Sequence, residues 1–168
     1  MRGDATADEC KEALLRLCDR LEAGEIEYGG TVKIEGTWDE IREWDTLETT
    51  LQRGPLLLDM GIWYKHVDCG TVMCIGGAVE LIDRINLLES YTRAMRRGEV
   101  TKGEAIALHR LLYPVELGGR RYSDLTPEVV ARAVRDAEKM GKDLAELPID
   151  ALRGYSALVG EDVYGVLS

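Results

Sequence analysis

The feature that most constrains this fold is the diglycine Gly76-Gly77, set inside an apolar run from Leu56 to Ile85 that also carries Trp63, His66, Cys69 and Cys74. Ile75, Ala78, Val79, Ile82 and Ile85 recur at helical i, i+3, i+4 steps, so the end of the run predicts a helix. Each Gly costs such a helix roughly 1 kcal/mol relative to Ala. Two in succession are tolerable where another backbone must approach closely, so a tight crossing with a neighbouring helix or strand is expected at Gly76 or Gly77. Upstream, Leu56 to Tyr64 reads as an extended apolar segment. It leads into a polar elbow, His66-Val67-Asp68, and then into Cys69 to Ala78, which opens the helix. Gly70-Thr71 would make the turn and the Thr71 hydroxyl could cap it.

The rest of the chain is read from caps and periodicity. Thr6 and Glu9 form a capping box before a stripe of Cys10, Leu14, Leu17, Cys18 and Leu21, and Gly24 stands where a left-handed terminator would fall. Glu25 to Glu35 alternates around Gly29-Gly30-Thr31, predicting a hairpin that pairs Tyr28 with Val32 and Ile26 with Ile34. A lone hairpin is marginal in water, so it should lean on the helices or add a strand from Leu56 to Ile62. A second box, Thr37 to Glu40, predicts a helix through Ile41, Trp44, Leu47 and Leu51, closed by Gly54-Pro55. Further helices are expected over Leu87–Arg97, over Thr101 to Leu112 before Pro114, from Thr126-Pro127-Glu128 to Met140, and over Pro148 to Leu158. The fold class is therefore mainly α, within α+β: one compact domain over 1–168, with about six or seven helices and one small β-hairpin or short sheet. At this length a single core needs neither disulfides nor metals.

Charge narrows the function classes. The chain carries 21 Lys/Arg against 31 Asp/Glu, net −10, which disfavours direct nucleic-acid binding because counterion release requires a basic surface. Residues 1–92 hold 9 basic and 19 acidic side chains, whereas 93–139 hold 10 and 7. A basic band that includes Arg96 and Arg97 thus sits in an acidic chain. No apolar leader or run long enough to span a bilayer is apparent, so a cytoplasmic location is expected, with the four Cys as thiols or ligands before disulfides.

Candidate chemistry centres on the elbow. His66, Cys69 and Cys74, with His109 or Asp68 as fourth ligand, could hold zinc, but the spacing lacks the tight Cys pairs of structural sites. No metal and no cofactor are expected. Cys69 or Cys74 at a helix start, with His66 as base, could be a catalytic thiol. The blander account makes both cysteines packing residues. For binding, Trp38, Glu40, Glu43 and Trp44 place aromatics among carboxylates on one short helix, and Arg96 and Arg97 offer a basic counterpart. The best-known catalytic signatures, GxGxxG, GxxxxGK[ST], HExxH and GxSxG, are missing from the sequence.

Leu58-Asp59-Met60, Trp63 and the box Cys69-Gly70-Thr71-x-x-Cys74-x-Gly76 resemble a pattern found in short uncharacterised bacterial and bacteriophage proteins. Leu111-Leu112-Tyr113-Pro114 and Thr126-Pro127-Glu128 resemble later signals of the same group, while Gly77-Ala78 departs from the Trp or His it often has there. The resemblance carries no function with it. The reading that follows is a cytosolic protein-binding or regulatory protein of phage or bacterial origin rather than an enzyme. It has two alternatives: a Cys-dependent enzyme or redox protein using Cys69, Cys74 and His66, and an acidic nucleic-acid-mimic decoy. A protein partner and no membrane are expected.

Overall fold

The computed structural model describes residues 2–100, 124–132, 134 and 135. The described residues form an α+β body with a four-stranded sheet. Helix α1 (Ala7–Glu22) opens with the expected capping box: the Thr6 hydroxyl accepts from the Glu9 amide and the Glu9 carboxylate accepts from the Thr6 amide. Its stripe of Cys10, Leu14, Leu17, Cys18 and Leu21 is buried, and Gly24 takes a φ of 75° just past its end. Strand β1 (Ile26–Tyr28) follows.

The expected hairpin does not form. Instead β1 runs parallel to β2 (Leu56–Leu58), with Ile26 opposite Leu56 and Tyr28 opposite Leu58. The Gly29 amide extends that pairing to the Leu58 carbonyl at 2.8 Å. Local alternation lost to burial, because a strand beside three buried leucines sinks Ile26 to 1 % exposure, whereas an isolated hairpin would leave it wet. The predicted helix from Thr37 is also absent. Residues 37–46 form an irregular strap, and helix α2 (Leu47–Gln52) starts ten residues later, from a box made by Thr46 and Thr49. The strap's backbone bonds to the sheet instead, with the Asp39 amide donating to the Tyr64 carbonyl at 2.8 Å.

The elbow is a real hairpin. Strand β3 (Tyr64–Val67) turns at Asp68-Cys69 into β4 (Gly70–Met73), which lies antiparallel to β3 and parallel to β2, giving the order β1-β2-β4-β3. All four β4 residues are buried, as expected of an inner strand covered on both faces. Helix α3 (Ile75–Asp83) therefore begins later than the sequence suggested, with Cys74 rather than Thr71 as its N-cap. Arg84 ends it at a φ of 57°. Helix α4 (Leu87–Arg96), capped by the Asn86 side chain, finishes before Gly98 as expected.

Residues 127–132 are helical after Thr126, whose hydroxyl accepts from the Val129 amide at 3.4 Å. Leu125, Val130, Ala131 and Val134 join the same core as α1, α3 and α4. The helices expected over 101–112 and 148–158 lie outside the described residues. No described helix is long and apolar enough to cross a membrane.

Candidate functional site

The turn between β2 and β3 aims Trp63 at the start of α3. Asp59, 4 % exposed, shapes that turn: its Oδ1 accepts from the Gly61 amide at 2.8 Å and its carbonyl from Ile62 at 3.1 Å. Here the diglycine finds its reason. A Cβ on Gly77 would land on the Trp63 carbonyl oxygen, and one on Gly76 would come within 2.5 Å of the Trp63 ring. The crossing is thus with the residue leading into a strand: backbone excludes any side chain at Gly77, whereas at Gly76 the obstacle is the Trp63 ring. Trp63 Nε1 donates to Glu80 Oε2 at 3.1 Å. Glu80 is 5 % exposed, and burial raises its pKa above the ordinary glutamate range.

Cys74 completes this lock. Its Sγ accepts from the Gly77 amide at 3.5 Å and faces the Trp63 carbonyl at 4.0 Å. Burial pushes its thiol up to about 11, so it stays protonated at neutral pH. Cys69, by contrast, is exposed at the tip of the β3–β4 hairpin. Cys10 and Cys18 are buried on α1, with burial again raising both thiols to about 11.

His66 organises a second cluster. Its Nδ1 lies 2.8 Å from Thr71 Oγ1, its Nε2 lies 3.0 Å from the Tyr64 hydroxyl, and Asp45 Oδ1 stands 3.6 Å from Nε2. Strand pairing explains half of this, since His66 and Thr71 are opposite in the hairpin register. Tyr64 is fully buried, and burial pushes its phenol up to about 12. Asp45 arrives from the strap, held by its Oδ2 accepting from the Arg42 amide at 2.8 Å and by Arg84 Nη1 donating to its carbonyl at 2.9 Å. The Lys65–Asp39 pair at 3.2 Å adds a further tie. Together these bonds hold an irregular segment flat against β3.

The structure therefore separates the sequence candidates. Both ring nitrogens of His66 face hydroxyls and a carboxylate, not a thiol. Among the described residues no group of three or more His, Cys, Asp or Glu could hold a metal ion, and His109 lies outside them. Trp38, Glu40, Glu43 and Trp44 sit on the strap and are exposed, whereas Arg96 and Arg97 lie at the end of α4, where Arg97 pairs with Glu99 at 2.7 Å. Sequence reasoning missed Asp45, Tyr64, Thr71 and Glu80 as cluster members. Only the β3–β4 register could have revealed Thr71 beside His66.

The helical segment after Thr126 is docked on α1 by a mixed contact. Cys18 Sγ donates to the Ala131 carbonyl at 3.3 Å, and Arg135 reaches Glu22 at 2.7 Å and Asp19 at 2.9 Å. Residues 127–168 match the family model described as argininosuccinate lyase C-terminal. That segment is similar to the C-terminal part of these lyases. Curated relatives agree: the argininosuccinate lyase of Neisseria gonorrhoeae is 40 % identical over 94 residues, covering 52 % of this chain and 20 % of the relative. That of Chromobacterium violaceum is 47 % identical over 72 residues, 43 % and 15 %, and that of Thiobacillus denitrificans 56 % over 41 residues, 24 % and 9 %. The chain thus spans about a fifth or less of the length of these relatives. No solved structure matches.

These matches correct two expectations. The resemblance to uncharacterised bacterial and phage proteins is overturned as the family assignment, because Thr126-Pro127-Glu128, read as one of that group's signals, borders or opens the lyase match. The non-enzymatic phage or bacterial regulatory reading falls with it, since the matched proteins are named as enzymes. Its two alternatives draw no support from the comparisons.

Proposed function

We propose that this chain serves a lyase acting on argininosuccinate, with residues 127–168 as its C-terminal element carried in one domain over 1–168. The observation that carries the reading is the match of 127–168 to the argininosuccinate lyase C-terminal family. The geometry supports an anchoring role for the start of that element: Val130, Ala131 and Val134 are buried in the core beside α1, and the Arg135 contacts orient the helix. The chain corresponds to only a fifth of the gonococcal relative, and the reading sets it in the cytoplasm, in contact with other protein.

A graft tests this. The part of the Neisseria gonorrhoeae enzyme that corresponds to 127–168 is replaced by these residues, and turnover of argininosuccinate is followed beside a graft of scrambled order. The reading expects the true graft to turn over substrate at a rate comparable to the parent enzyme and the scrambled one to be inactive. A true graft as dead as the scrambled one overturns it.

A further inference from the structure

Trp38 (63 %), Trp44 (65 %) and Leu51 (50 %) are the exposed large hydrophobics of the described residues, and all fall between positions 38 and 51. Lone exposed apolar side chains need no explanation, but three large ones in so short a stretch do. The stretch also carries five acids, Asp39, Glu40, Glu43, Asp45 and Glu48, against one base, Arg42. Asp39 and Asp45 are committed to Lys65 and to the His66 cluster. Glu40, Glu43 and Glu48 face solvent. The strap is preorganised, because Arg84 donates to the carbonyls of Asp45 and Arg42 and the Asp39 amide to Tyr64. Finally, the guanidinium of Arg42 stands 5.2 Å over the Trp44 ring. The surface already accepts an arginine of its own chain against an aromatic face.

We propose that this strap, with Leu51, docks an arginine-rich protein segment whose guanidinium groups stack on Trp38 and Trp44 and pair with Glu40, Glu43 and Glu48. Charge selects a basic partner, and the exposed rings select arginine over lysine, since a planar guanidinium both stacks and forms forked hydrogen bonds. The −10 balance of residues 1–92 steers such a segment toward this half of the chain. Leu51 supplies the apolar edge against which an arginine stem can lie.

The test is calorimetric titration of the full chain with a capped hexa-arginine peptide, with capped hexa-lysine as comparison. Arginine should bind more tightly, and affinity should fall as salt rises. Trp38→Ala/Trp44→Ala should weaken binding roughly tenfold, the size expected of two exposed cation–π contacts. Glu40→Lys/Glu43→Lys should flatten the salt dependence, whereas Glu12→Lys/Glu27→Lys, an equal charge change off the strap, should stay near the parent. If the tryptophan variant binds like the parent, or the two charge reversals weaken binding equally, the attraction is diffuse and the proposal fails. Self-association that disappears in the tryptophan variant, without peptide binding, would assign the strap to a second copy of the chain and overturn the arginine-rich partner.

Discussion

Residues 56–83 and the described residues between 124 and 135 both pack into the core around α1, yet they are held there by opposite means. The first is a steric interlock: Trp63 lies where no Cβ fits on Gly76 or Gly77, and Glu80 and Cys74 close the gap with buried polar contacts. The second is a few apolar side chains, Leu125, Val130 and Val134, under an exposed charged clamp. The interlock tolerates almost no change, whereas the docked helix should tolerate much of its surface being rewritten. The family match begins in the second, at residue 127, so the interlock lies outside it.

The comparison is broken most severely at Gly77. Gly77→Leu must displace the Trp63 backbone, and a loss on the order of 4 kcal/mol or more is expected, enough to prevent folding at 37 °C. Gly76→Leu meets the rim of the Trp63 ring, which can swing away, so it should melt between Gly77→Leu and the parent. Thermal unfolding of the two variants side by side checks the order, and equal melting of both with the parent would remove the interlock altogether.

Leu125→Ala probes the docked helix. Leu125 is 1 % exposed, and truncating a buried leucine typically costs about 2–5 kcal/mol. Denaturant unfolding should show a lowered midpoint with an unchanged slope.

Glu80 offers a pH handle confined to the interlock. Burial raises its folded pKa above that of an unfolded glutamate, so the folded state prefers the protonated form. Its contribution is fully present below the unfolded pKa and is lost as pH rises through the folded value. Melting temperature followed from acid toward neutral pH should therefore decline less steeply in Glu80→Gln than in the parent. Parallel curves would show that Glu80 does not titrate as described.

The smallest effect belongs to Arg135→Ala. Its partners Asp19 and Glu22 are exposed and screened by water, so the melting temperature should move by little more than the error, and any shift should vanish in high salt.

The same contrast explains what the sequence made legible. Caps and stripes are local, so α1 and α4 were readable to within a residue, and the cost of Gly76-Gly77 in an apolar helix announced a close approach before its partner was known. The hairpin at Gly29-Gly30 and the helix at Thr37 failed because both rested on local signals that long-range bonds overrode: Gly29 to Leu58, Asp39 to Tyr64 and Lys65, Asp45 to His66 and Arg84. Trp44, expected on that helix, lies exposed on the strap instead. The His66 cluster was half legible, since His66 stood out but Thr71 and Asp45 reach it only through strand register and strap. For the lyase-like segment, Thr126-Pro127-Glu128 revealed a helix start and nothing of its chemistry, because capping residues serve any helix.

The start of the lyase-like segment, Val130, Ala131 and Val134, is built into the body's core beside α1, and the cysteines report on it directly. Native-state alkylation, resolved by site with mass spectrometry, compares Cys18 beneath the Ala131 carbonyl with exposed Cys69 and interlocked Cys74. In the parent, Cys69 should react quickly while Cys18 and Cys74 stay protected. In Val130→Asp/Val134→Asp, Cys18 should become reactive while Cys74 remains protected. Cys18 reacting as fast as Cys69 in the parent protein would contradict the account, because nothing would then cover α1 where the segment is said to dock.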